Sequence, residues 1–175
     1  SVTALQQYLS VFSDGDNVTA ARTQLEAQQK QLADPAFRAK AEGLAAVDAG
    51  QGSKAVTELQ KAVSANHADS EAVGALGQAY SQKGDRARAV AQFEKAIALD
   101  PQSDNRGKWD SLLKVNRYWL LIQQGDNALK ANNTAQAERY YQQARNIDNT
   151  DSYAVLGLGD AAAARKDNDA AERYY

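Results

Sequence analysis

The chain has 175 residues, a formal net charge of −2, one histidine and no cysteine. With 20 basic against 22 acidic side chains and no long basic run, nothing tracks a phosphate backbone, and nucleic acid is not an expected partner. The longest apolar run, Trp119-Leu120-Leu121-Ile122, falls far short of the ~20 residues that span a bilayer, so this segment is not expected to insert into a membrane.

Abundant Ala and Gln, sparse β-branched residues and only two prolines, Pro35 and Pro101, favour an all-α chain. In chain order, VTALQQYLSVF predicts a helix with Leu5, Tyr8, Leu9 and Phe12 inward. Ser13-Asp14-Gly15-Asp16 then turns the chain, and Asn17 to Ala33 forms a longer helix that ends before Pro35. Residues 36–69 repeat this hairpin plan, with Gly43 at a close helix crossing and Gln51-Gly52-Ser53 at the turn. Residues 70–103 are the clearest unit. Val73, Leu76, Gly77 and Tyr80 share one face of a first helix, Gly84-Asp85 supply a turn glycine and an N-cap, and Ala89, Phe93 and Ala96 stripe a second helix before Pro101.

A constant interval runs through these features. Gly43 and Gly77, Ala55 and Ala89, Leu59 and Phe93, and Ala62 and Ala96 each lie 34 positions apart. So do Ala21 and Ala55, Leu25 and Leu59, Gly125 and Gly159, Ala137 and Ala171, and Tyr141 and Tyr175. The interval breaks once: Gly77 to Gly125, Ala89 to Ala137 and Phe93 to Tyr141 are each 48. Ala144 and Leu158 complete the repeat-defining set. The 14 extra residues are assigned to 104–117, which either extend the next first helix or stand as a separate helix broken near Asn116. In both cases their apolar face, Trp109, Leu112 and Leu113, is expected to lack a partner in the repeat scheme and to redirect the stack. The expected organisation is three hairpins over 2–103 (2–35 degenerate, 36–69, 70–103), the insert, and two hairpins over 118–175 (118–151, and 152–175 truncated). A hairpin of this size buries its apolar faces only against neighbours, which makes the chain an array.

The spacing of Leu76-Gly77, Tyr80, Ala89, Phe93, Ala96 and Pro101, with its second occurrence at Leu158-Gly159, Ala171 and Tyr175, resembles the tetratricopeptide repeat family. Val73 departs from the family pattern, which often has Trp there. The resemblance implies a right-handed all-α superhelix whose first helices line a binding groove. Carried onto this chain, the groove-facing residues are Lys40, Gln78, Ser81 and Gln82 before the insert, and Trp119, Asp126, Tyr153 and Asp160 after it. The alternative for Trp119 and Tyr153 is packing between repeats.

A narrower likeness rests on 32–50 (LADPAFRAKAEGLAAVDAG), 76–101, 111–126 (SLLKVNRYWLLIQQGD) and 148–160 (DNTDSYAVLGLGD). These runs resemble the repeat region of the outer-membrane export subunit of bacterial cellulose synthase, the BcsC family. That resemblance implies a non-catalytic periplasmic scaffold, a segment of an outer-membrane-anchored protein. It also implies as partners the other subunits of a cellulose synthase and export complex, with the glucan chain or peptidoglycan as further candidates. A generic protein–protein adaptor is the alternative. Composition does not decide the compartment, since absent cysteine suits oxidising and reducing surroundings alike.

No motif points to catalysis. One histidine and no cysteine leave Ser/His/Asp, Cys/His and metal-ligand sets without parts, so no catalytic residue, metal or cofactor is assigned. His67, in an inter-repeat turn, is expected to be solvated. Gly157-Leu-Gly159 mimics a dinucleotide loop, but no strand precedes it and Gly159 is already a helix-crossing residue. Asn17-Val-Thr19 and Asn132-Asn-Thr134 match glycosylation acceptors and are read as cap and turn residues. Asp126 and Asp160 are expected to be surface carboxylates. The start at Ser1 and the helical ending at Tyr174-Tyr175 read as a piece of a longer protein.

Overall fold

A computed structural model, describing residues 1–175, contains ten α-helices and no strand. They pair into hairpins: α1 (Val2–Val11) with α2 (Asp16–Ala33), α3 (Pro35–Asp48) with α4 (Gly52–Ala65), and α5 (Ser70–Gln82) with α6 (Arg86–Leu99). The next pairs are α7 (Arg106–Lys130) with α8 (Thr134–Ile147) and α9 (Ser152–Ala164) with α10 (Asn168–Tyr174). The local chemistry repeats as closely as the sequence does. Asp34, Asp69, Asp85, Asn133, Asp151 and Asp167 each cap a helix, their side-chain oxygen accepting from a first-turn backbone N–H. Each such cap contributes about 1 kcal/mol.

The four turns inside the last four hairpins share one form. A residue in the left-handed region ends each first helix: Gly50 (φ 69°), Gly84 (φ 76°), Asn132 (φ 58°) and Lys166 (φ 62°). The next residue then donates its backbone N–H to a carbonyl five positions back, Gln51 to Ala46 and Asn133 to Ala128 at 2.8 Å, Asp85 to Tyr80 and Asp167 to Ala162 at 3.0 Å. This closes the otherwise unsatisfied carbonyls of the helix end.

Every repeat-defining residue except Pro101 is buried. They form two cores. The first joins α3 to α6 around Leu59, Val73, Leu76, Tyr80 and Phe93; the second joins α7 to α9 around Tyr118, Ile122, Tyr141 and Leu158. The N-terminal hairpin stands apart from both. The expectation that Leu5, Tyr8, Leu9 and Phe12 point inward holds only in part: Leu5, Tyr8 and Leu9 are half-buried, but α1 has no fully buried residue and Phe12 is 51% exposed. The reason is topological, since α1 packs only on α2 and leaves its other side to solvent.

All but the first two residues of the interrupting stretch lie in α7, a single unbroken helix of 25 residues with no break near Asn116. Its apolar face does have a partner, contrary to expectation. Trp109 and Leu113 are buried in the first core against α5 and α6, while Tyr118 and Ile122 belong to the second. The physical reason is register. Ala75 and Ala79, buried on α5, are followed 34 positions later by Trp109 and Leu113, so the N-terminal half of α7 keeps the face that packs on the preceding hairpin. The face that packs on the following helix arrives 14 residues later with Gly125. Fourteen residues displace that second level by about 21 Å along the helix and turn it by about 40°. One helix therefore closes the first stack and opens the second.

Candidate functional site

The eight groove candidates divide at α7. Before it, side-chain partners hold three of the four. Lys40 Nζ bridges Asp69 (2.8 Å) and Glu71 (2.7 Å), pinning α3 to the start of α5. Burial pulls the Lys40 pKa down, but the two carboxylates more than offset this and raise it overall. Burial likewise pushes the Asp69 carboxyl up, and the bonds from Lys40 and the Ala72 N–H outweigh it, leaving it below its ordinary value. Gln82 Nε2 donates to the Val47 carbonyl at 2.8 Å, and Ser81 Oγ accepts from Arg86. Gln78 is half-buried in a narrow crevice beside Trp109. These contacts run between helices distant in sequence, and spacing within one helix carries no signal for them.

Arg86 also reaches the junction between the cores. Its guanidinium donates to Asn116 Oδ1 at 3.0 Å, and Asn116 Nδ2 donates to the Leu112 carbonyl at 2.8 Å. Asn116 is the one fully enclosed polar side chain of the molecule. Both ends of its amide are satisfied, so its burial carries little penalty.

After the junction, three of the four candidates come together. Trp119, Asp126 and Tyr153 line one open cleft of about 360 Å³, with Gln123, Asn127 and Lys130. Trp119 and Tyr153 meet edge-on, ring centroids 5.1 Å apart, and Trp119 meets Tyr118 at 5.3 Å. The packing reading holds in part, as Trp119 is half-buried, whereas Tyr153 is 57% exposed. Asp160 lies outside this cleft and accepts from the Tyr175 hydroxyl at 2.7 Å.

Asp126 and Asp160 are exposed, as expected, but neither is a simple solvated carboxylate. Asp126 Oδ1 accepts from the Tyr141 hydroxyl at 2.8 Å. Burial raises the Tyr141 pKa, and the neighbouring carboxylate raises it further. The signal was present in the sequence. Where earlier hairpins have Leu59 and Phe93, the later ones have Tyr141 and Tyr175, each preceded by an aspartate 15 residues upstream. Tyr118 offers the opposite case: its buried hydroxyl has no well-formed hydrogen bond, although burial and the nearby Asp151 carboxylate raise its pKa.

His67 is exposed, its Nδ1 beside the Val63 carbonyl. Asn133 is the N-cap of α8, and Asn132 takes the left-handed turn position. No group of three or more His, Cys, Asp or Glu side chains is placed to hold a metal ion, and no helix is long and apolar enough to cross a membrane.

The chain is 75% identical over 158 residues, 90% of its length, to cellulose synthase operon protein C of Escherichia coli strain K12, and 77% identical over the same share to the Salmonella typhimurium protein of that name. It spans 14% and 13% of those two proteins. A crystal structure of MamA superposes with a TM-score of 0.49 at 16% identity, covering 80% of this chain and 87% of that one. A tetratricopeptide repeat family model matches residues 40–104 and 122–175, leaving between its two matches the first part of α7, where the interval breaks. With hairpins, crossing glycines and interval all in place, the chain belongs to the tetratricopeptide repeat family.

Proposed function

We propose that this chain is a non-catalytic docking segment of a cellulose export subunit, working in the periplasm, where it holds other subunits of the synthase and export complex in line. The observation that carries the reading is the 75% identity, over 90% of the chain, to cellulose synthase operon protein C. The architecture supports the scaffold role: stacked hairpins present a long surface of first helices, a form suited to extended partners. The side chains support a binding rather than a chemical role, since the titratable groups at the groove candidates, Lys40–Asp69–Glu71, Asp126–Tyr141 and Asp160–Tyr175, are held in ion pairs or hydrogen bonds between neighbouring elements.

The test is site-specific photo-crosslinking in cells that make cellulose, with the probe at exposed first-helix positions of the full-length protein. The expected result is discrete adducts with subunits of the cellulose complex, and reduced cellulose output when those positions are replaced by charged residues. Absence of any such adduct, with normal output, would contradict the scaffold role. Alkaline phosphatase fused after residue 175 is expected to be active, as it is in the periplasm; an inactive fusion contradicts the location. Turnover of soluble glucans by the chain is expected to stay at background.

A further inference from the structure

We infer that the cleft at Trp119 and Tyr153 is a binding site for an uncharged, extended β-glucan chain. The two rings stand 34 positions apart, at the same place on the first helices of consecutive hairpins, α7 and α9. Their centroids are 5.1 Å apart with the planes at 65°, so the half-buried Trp119 braces Tyr153 edge-on and the exposed Tyr153 ring presents the aromatic face. Tyr153 is 57% exposed, whereas Phe93 and Tyr141, rings at helix crossings covered by a following helix, are buried. The apolar faces of pyranose rings pack against such surfaces, and an aromatic side chain loses little conformational entropy in providing one.

The other residues that line the cleft supply the complementary polar groups. Gln123 and Asn127 offer amide donors and acceptors to hydroxyls, and Asp126 and Lys130 bring one charge of each sign. The charges balance, which favours a neutral polyhydroxyl ligand over an anion or a cation. Asp126 is oriented in advance, since its Oδ1 is held by the Tyr141 hydroxyl at 2.8 Å, and such preorganisation lowers the cost of binding. A volume of about 360 Å³ lies within the range of small-ligand sites. The equivalent positions in the first stack are Phe37 and Glu71, 34 apart. There the ladder of rings is broken by a carboxylate already paired with Lys40 at 2.7 Å. The site belongs to the second stack alone.

The choice of a β-glucan among neutral sugars rests on the proposed role in cellulose export; the aromatic cleft does not. The test is a titration of the ¹⁵N-labelled 175-residue chain with cellohexaose, followed through its two indole N–H signals. Trp109, 3% exposed in the first core, is the internal control. The expected result is a saturable shift of the Trp119 signal with Trp109 unmoved. Tyr153→Ala, at an exposed position, is expected to keep its helicity and bind about tenfold more weakly, while Tyr153→Phe keeps the affinity because the ring face is retained. The proposal is overturned by no saturable shift at Trp119, by an equal response to maltohexaose, by unchanged affinity in Tyr153→Ala, or by a response to an extended peptide alone. A chain that binds cellohexaose but forms no adducts with the export machinery keeps this site and loses the scaffold role; the reverse outcome removes only the site.

Discussion

The two stacks on either side of Asn116 fill the same helix crossing with different chemistry. In the first, Leu59 and Phe93 pack against Gly43 and Gly77, and the turns use Gly50 and Gly84. In the second, Tyr141 and Tyr175 take the crossing, the turns use Asn132 and Lys166, and Asp126 and Asp160 accept from the phenols. The difference reaches the surface. A purely apolar plug makes no demand on its neighbours, whereas a phenol needs an acceptor, which the chain supplies from the outer face of the first helix. Core composition thus sets where an oriented carboxylate stands beside Trp119 and Tyr153.

The strongest way to break this contrast is to attack the helix shared by the stacks. Trp109→Ala empties a large buried site in the first core and is expected to cost about 3–5 kcal/mol in denaturant titration. Amide exchange should quicken more in α5 and α6 than in α8 and α9; equal loosening of both would show that the cores are not separate. Next come the crossings themselves. A methyl group at Gly125 would lie 2.5 Å from the Tyr141 ring, which Gly157 confines from the other side at the same distance. Gly125→Ala is expected to cost about 1–3 kcal/mol. Gly77→Ala, whose methyl would lie 3.0 Å from the Phe93 ring, should be nearly neutral, because the gain in helix propensity of about 1 kcal/mol offsets the crowding.

A smaller effect separates the phenols. Tyr141→Phe is expected to lose about 1 kcal/mol with its hydrogen bond to Asp126, while Tyr118→Phe, which removes a buried hydroxyl without a well-formed hydrogen bond, should cost less. Equal losses at both would mean that the aspartate partner contributes nothing. The smallest effect is at the turns. Lys166→Gly, at φ 62°, should gain up to about 1 kcal/mol by relieving a left-handed residue, read as a rise in Tm; an unchanged or lower Tm would show that the turn carries no strain.

The hairpins, their crossings and the place of the break were legible from the 34-residue interval because small-to-large pairs at a crossing are a local packing requirement. The role of α7 was not. Gly77, Phe93 and their successors mark the face that packs within a hairpin, and that register breaks at Pro101. Trp109 and Leu113 continue the face that packs on the preceding hairpin, and that register does not break, but its marks in the 70–103 hairpin are plain alanines, Ala75 and Ala79. At the site, the tyrosines at the crossings and their upstream aspartates could be read from the sequence. The engagement of Lys40, Ser81 and Gln82 could not, because Asp69, Glu71, Arg86 and the Val47 carbonyl reach them from other elements.

That a single uninterrupted α7 carries both stacks can be measured directly. The chain has no cysteine, so spin labels at Lys108→Cys and Asn127→Cys, both exposed, report on this helix alone. A rise of 1.5 Å per residue places the two Cα atoms about 28 Å apart. The account predicts one narrow distance distribution near that value; a bimodal or markedly shorter distribution would show that α7 breaks between the cores.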